Sequence, residues 1–355
     1  MKSFKQGPRP LYRKKRFIIP VSLFALLLVA RMIAEPIILK NANKFLATFS
    51  PEMSFHIDDL DFRFIRGAYG FTGITGKLKE NGKEFMNLKD LDVSMAWREI
   101  FKGRIVADVV VADLDFSYSQ GLKAAADKMT NKGDQKQAKE KLIPFKVERV
   151  DIKDSKVTLN DYRGLKEGEK FKITDITGTM TNLTPNEKFP LSFFNVHASV
   201  MGSSNVKSTG NLNILAKPPK WDVDGELLNF DLTSANQFLK NKVPLTFTKG
   251  KLDVYAEAKS EKGKVEGYIK PFMKNLDIMK SEESFKGIKH WGIEVLTALG
   301  NLVLRASDTK SVATKIPFSY DGELKVDSGE ALSKAIQHGF EQKLSPGIEN
   351  RYELE

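Results

Sequence analysis

The chain has 355 residues, 41% hydrophobic and 10% aromatic, and no cysteine. Its length suits one large domain or two ordinary ones, and its apolar content excludes wholesale disorder. The missing cysteine excludes disulfide frameworks, thiolate metal sites and thiol nucleophiles, and it fits an oxidising compartment.

The net charge of +11 is localised. Lys2, Lys5, Arg9, Arg13, Lys14, Lys15 and Arg16 supply +7, which leaves 11 − 7 = +4 for everything after residue 16. Residues 1–16 therefore read as a basic cytoplasmic tail. An apolar run from Phe17 to Ala30 follows and resumes past Arg31 to Ala34. A bilayer core needs ~20 such residues, and the 18 from Phe17 to Ala34 are enough with little tilt if Arg31 snorkels to the far headgroups. Residues 17–36 are thus predicted to be a transmembrane anchor, oriented by the basic flank with the rest of the chain exported. A cleaved signal peptide is the competing reading, but Met32 and Pro36 make a poor cleavage site. Ile37, Ile38, Ala42, Phe45, Leu46 and Phe49 keep a helical period, which should end at Ser50-Pro51.

From residue 53 the period is two. Leu91, Val93, Met95 and Trp97 alternate with polar or small residues. So do Ile105, Ala107, Val109 and Val111, until the phase slips at Ala112-Asp113, where a bulge or corner is expected. Similar runs recur around Phe62 and Phe64, Phe116, Val150, Leu212 and Ile214, Trp221 and Val254. Turn-forming residues such as Glu80–Lys83, Lys249-Gly250 and Glu261–Gly263 separate them. The pattern predicts a β-rich (α+β) chain with a long antiparallel sheet, mostly of hairpins, apolar on one face. A first β region covers 37–118 and a second 143–287. Between them, 119–142 reads as a polar helical or flexible insert with no stripe worth burying. Ser234–Lys240 reads as a short capped helix. The last region, 288–355, carries two amphipathic helices around a short strand. One is marked by Trp291, Val295 and Leu299, and the other spans about 328–343.

Motifs for chemistry are missing. His56, His197, His290 and His338 are too scattered to pair as ligands. No nucleophile elbow, phosphate-binding glycine loop or dinucleotide fingerprint is present. Asp222-Val-Asp224-Gly225 resembles the start of a calcium loop, but the later ligand spacing fails and an ordinary turn is expected. No basic patch interleaved with aromatics points to nucleic acid. The residues imply no cofactor and no metal, and they give no argument for an enzyme.

Three features together resemble the AsmA-like family of Gram-negative envelope proteins, specifically its smaller members of uncharacterised function. They are the basic tail with one anchor, the blocks Leu91–Val111 and Ile143–Asp161, and the C-terminal Ser311–Ser319 followed by Leu344–Gly347. The resemblance spans roughly residues 15–350. It implies a curled antiparallel sheet forming an apolar groove. It also implies a role in phospholipid transport between membranes or in outer-membrane integrity, with the main domain periplasmic and the anchor in the inner membrane. Groove-lining candidates for contact with acyl chains are Phe62, Phe64, Val93, Val109, Val111, Phe116, Leu212, Ile214 and Val254. Trp291, Val295 and Leu299 would form a cap helix. Two alternatives remain open: either the apolar face is covered as an ordinary core, or the protein is a scaffold that binds an envelope partner, or a second copy, through sheet edges or the C-terminal helices.

Overall fold

The computed structural model describes residues 15–63, 67–131, 145–160, 170–184, 191–202, 204–213, 218–239, 245–280, 311–313, 315–321, 324–326 and 344–354. Within the first helix, the side chains of several residues between 15 and 30 fall outside that set. The expected helices at 288–304 and 328–343 also lie outside it, as do Phe64, Ile214, Trp291, Val295 and Leu299.

The chain begins with α1 (Lys15–Phe49). It continues through β1 (Met53–Arg63), β2 (Ala68–Leu78), β3 (Glu84–Met95), α2 (Trp97–Ile100), β4 (Ile105–Tyr118) and α3 (Gln120–Asn131). Then come β5 (Phe145–Asn160), β6 (Lys170–Leu183), β7 (Ser192–Val200), β8 (Ser204–Asn213) and β9 (Lys220–Asp231). A 3-10 turn (Leu232–Ala235) and α4 (Asn236–Leu239) lead into β10 (Leu245–Glu261) and β11 (Lys264–Lys280). The strands end with β12 (Ser311–Ala313), β13 (Ile316–Tyr320) and β14 (Leu324–Val326).

The fourteen strands among the described residues form one sheet in chain order, with β12 pairing on β11 beside the main path. The sheet is not closed into a barrel. Neighbours are antiparallel except β4 and β5, which are parallel. This corrects the expectation of an all-antiparallel meander. Parallel neighbours cannot be joined by a tight hairpin and need a crossover of a dozen or more residues, which the chain between Tyr118 and Phe145 supplies.

That crossover also overturns the reading of 119–142 as a segment with nothing to bury. In α3, Leu122 and Ala125 are buried against Met53, Leu78 and Phe85, with Phe55, Met86 and Phe116 at the margin. The Ser119 hydroxyl caps the helix by accepting from the Leu122 N–H at 3.2 Å, satisfying one of the free donors of the first turn. Other expectations shift too. Lys249-Gly250 is no turn but lies within β10, and Asp222–Gly225 lies inside β9. The short helix near 234 starts earlier, capped by Asp231, whose side chain accepts from the Thr233 N–H.

The predicted corner at Ala112-Asp113 is present and extends across six strands. The apolar face steps by three residues instead of two at Ile57/Leu60, Phe71/Ile74, Leu88/Leu91, Val111/Leu114, Ile152/Ser155 and Ile173/Ile176. Asp113, Asp154 and Asp175 sit at these steps with φ of 55°, 46° and 53°, a region that Asp tolerates better than most residues. Ser155 stitches the corner between β4 and β5. Its hydroxyl donates to the Lys153 carbonyl at 3.0 Å and accepts from the Leu114 N–H at 3.3 Å.

An open sheet leaves its edge strands unpaired. At β1 the edge is covered by the second half of α1, which runs antiparallel to the strand. The Asn43 amide mimics a neighbouring strand: it donates to the Ile57 carbonyl and accepts from the Ile57 N–H, both at 2.8 Å. Glu35 accepts from the Phe62 N–H and from Arg31, both at 2.8 Å. The helix stops at Ser50-Pro51, as its sequence predicts, and Lys79 caps its end by donating to the carbonyls of Ala47 and Ser50. Among the described residues, no helix is long and apolar enough to cross a membrane. Ile19, Val21, Leu26, Leu28, Val29, Met32 and Ile33 of α1 are nonetheless all exposed.

Candidate functional site

Strand alternation and pairing register together build the site. One row of directly paired residues runs Phe62, Tyr69, Val93, Val109, Val150, Met180, Phe194, Gly210, Val223, Ala258, Gly267, Phe318. A second runs beside it: Leu60, Phe71, Leu91, Val111, Ile152, Gly178, Val196, Ser208, Gly225, Ala256, Ile269, Ile316. These two files lie on one face and cross twelve strands. At ~4.8 Å per strand they extend about 50 Å. Tyr69 and Ser208 are their only side chains with a polar atom.

The row between them on the opposite face includes Asp61, Asp92, Asp151, Thr179, Asn195, Thr209, Asp224 and Glu257. Seven of the nine sequence-derived groove candidates fall within the described residues: Phe62, Val93, Val109, Val111, Phe116, Leu212 and Val254. All seven share the apolar face. Phe116 extends it through Met86 and Val157, Leu212 through Trp221, and Val254 through Leu227.

Burial along this face is uneven. α3 seals one end of it over β1–β3, and a second cluster sits at Leu232 and Phe247 with Leu252, Met273 and Leu276. Between these, Val93, Val109, Val111, Ile152, Met180, Phe194, Val196, Val223 and Ala256 are only half-buried, and Ile269 is 42% exposed. Two glycines on the face differ in an informative way. A Cβ at Gly210 would fall 2.1 Å from the Asp222 carbonyl oxygen and 2.9 Å from the Phe194 ring, so that glycine is required by close packing. Among the described residues, a Cβ at Gly225 would meet nothing within 4 Å, so none of them covers the face there.

The polar face, by contrast, is covered at its far end. The C-terminal segment 347–354 crosses β9–β11. Its N–H groups at Glu349, Asn350 and Arg351 all donate to the Glu257 carboxylate, and that of Leu354 donates to Asp222 at 2.9 Å. Tyr268 also donates to Glu257, while Lys270 and Lys315 pair with Glu349. Glu257 and Tyr268 are fully buried. Nothing in the sequence flags this strap, because each residue reads alone as a solvated charge.

Burial pushes the Glu257 carboxyl up, but the Tyr268 hydroxyl and three backbone donors outweigh it and leave its pKa below the usual range. Asp224, opposite it, is pushed up to about 6 by burial and by its neighbours Glu257, Asp222, Glu353 and Glu226. A raised carboxyl favours the folded state while protonated. Its contribution is therefore present at pH below the ordinary value of 3.8 and lost as pH rises through about 6. Asp224→Asn should flatten the decline in thermal stability between pH 4 and 7 and raise the melting temperature at neutral pH, read by differential scanning calorimetry. Added salt should shrink the difference, since Asp224 is only half-buried.

His56 and His197 are exposed on the polar face. Among the described residues, no group of three or more His, Asp or Glu could hold a metal ion. Compared with known proteins, the chain matches no protein-family model and no curated protein in sequence.

Proposed function

We propose that this protein binds phospholipid acyl chains along the apolar face of its sheet, and that α1 tethers it to the inner membrane with the sheet in the periplasm. It acts without catalysis, as a partial conduit for phospholipid moving between membranes or as a contributor to outer-membrane integrity. The observation that carries this reading is a continuous apolar face that stays half-buried through the middle of the sheet, while a strap of chain is spent on the polar face over β9–β11. A sheet built for stability alone would bury the apolar face. Each methylene held against such a face is worth ~0.8 kcal/mol, so an acyl chain could slide from strand to strand at nearly constant energy. The tether is supported by the basic tail, by the apolar run 17–34 and by the exposure of α1's apolar side chains. A length of about 50 Å favours handing lipid to a partner over bridging an envelope alone.

Native mass spectrometry of the full chain released from detergent should show bound phospholipid. Gly225→Asp places a charge on the face where none of the described residues would clash with it. It should abolish lipid retention and move the melting temperature by only a few degrees, on the order of a surface substitution. Lipid-free wild-type protein in repeated preparations, or unchanged lipid binding in Gly225→Asp, would leave only a tethered scaffold. α1 already occupies the β1 edge, so such a scaffold would recruit partners at the β14 end.

A further inference from the structure

The connection between β3 and β4 is a closed, rigid turn. Ala96 N–H donates to the Val106 carbonyl across its base, and the N–H groups of Lys102 and Arg104 both donate to the Glu99 carbonyl at 3.0 Å. The Glu99 side chain pairs with Lys102 and Arg104. Nothing in this framework requires an apolar tip, yet Phe101 projects from it at 86% exposure, the most exposed large hydrophobic residue described. Arg98, Lys102 and Arg104 surround it, three bases against the single acid Glu99.

The place of this turn gives the tip a partner. α1 runs antiparallel to β1, with Asn43 beside Ile57 and Glu35 beside Phe62. Arg31 reaches Asp61, in the row shared with Gly70 and Asp92. That level is polar: Arg31, Glu35, Asp61, Arg63, Asp90 and Asp92 line a recess of about 420 Å³. β3 continues three residues past Asp92 to Met95, about 10 Å at ~3.3 Å per residue. The same rise along α1 takes about seven residues at 1.5 Å each. The turn therefore stands level with residues 24–30 of α1, where Leu26, Leu28 and Val29 are exposed.

We infer that residues 97–104 form a second membrane contact, seating Phe101 in the acyl layer just below the headgroups while Arg98, Lys102 and Arg104 meet lipid phosphates. The inference rests on the reading of α1 as the membrane tether. An aromatic residue framed by basic ones is the composition favoured at that boundary. Two contacts would fix the sheet's orientation and bring the edge of the apolar face at Phe62 and Val93 down to the lipid.

The chain has no cysteine, so single labelling sites are clean. Full-length Phe101→Cys, Leu26→Cys and Asn81→Cys, each carrying an environment-sensitive fluorophore, would be placed in nanodiscs of phosphatidylethanolamine and phosphatidylglycerol. A fraction of the lipid would be spin-labelled near the top of the acyl chain. Asn81 lies in the β2–β3 turn at the opposite end of the strands. Position 101 should show blue-shifted emission and quenching several-fold above that at position 81, weakening when phosphatidylglycerol is omitted. Quenching at 26 but not at 101 overturns this inference and leaves the tether standing. Quenching at neither overturns both.

Discussion

Replacing Glu257 with Ala should release the C-terminal strap and cost about 3–5 kcal/mol, the range for removing one partner from a buried charged network. The carboxylate is fully buried and is the shared acceptor for Tyr268 and for the N–H groups of Glu349, Asn350 and Arg351. Alanine leaves those donors in place with no acceptor, and an unsatisfied buried donor costs its full desolvation. It also strands Lys270, only 3% exposed at its side chain, whose partner Glu349 is carried by the strap. Glu257→Gln should be intermediate, because one oxygen still accepts while the amide turns a donor toward donors. Urea unfolding measures the loss, and carboxypeptidase sensitivity of the last residues reports the release. Wild-type protein should behave similarly in acid. Glu257 has a depressed folded pKa, so its contribution is complete above about pH 4.5 and disappears as pH falls through the folded value. Unchanged stability and an equally protected C-terminus in Glu257→Ala would show that the strap is held by other contacts.

The second large effect is expected at the opposite end of the sheet. Leu122→Ala should cost about 2–5 kcal/mol, the range for emptying a buried leucine site. Leu122 and Ala125 are the buried residues by which α3 holds Met53, Leu78 and Phe85. Since α3 begins the crossover between β4 and β5, its release loosens the one parallel joint. Hydrogen exchange should show lost protection in α3 and at the Met53, Leu78 and Phe85 ends of β1–β3, with β9–β11 unchanged. A uniform loss over the whole sheet would instead mean that α3 and the sheet unfold as one unit.

Much of the apolar face was readable before any coordinates. Period-two alternation put Phe62, Val93, Val109, Val111, Phe116, Leu212 and Val254 on one side, and the structure places them there. The phase slip at Ala112-Asp113 was visible as well, but its sharing by six strands was not, because that requires the pairing register. The parallel joint could have been suspected from length alone, since a hairpin does not need the 26 residues between Tyr118 and Phe145. α3 was misread because its overall polarity hid the two residues that matter. Glu257 and Tyr268 were beyond reach: their burial comes from a segment arriving from more than 80 residues away. Asp222–Gly225 was misread for a simpler reason, in that its acidic residues outweighed the alternation of Trp221 and Val223, which mark a strand.

The shared corner has a consequence for how such a molecule changes size. Because β1–β5 all take their extra residue at the same level, and β6 takes its own one pair further along, neighbouring strands in β1–β5 are interchangeable as far as face and phase are concerned. Inserting a complete hairpin with the same three-residue step would lengthen the greasy lane by about 10 Å and leave everything else in frame. Deleting one residue from one strand, such as Asp113, would turn half of that strand inside out. Reach is thus adjustable in whole units of two strands, and it is locked against any smaller change.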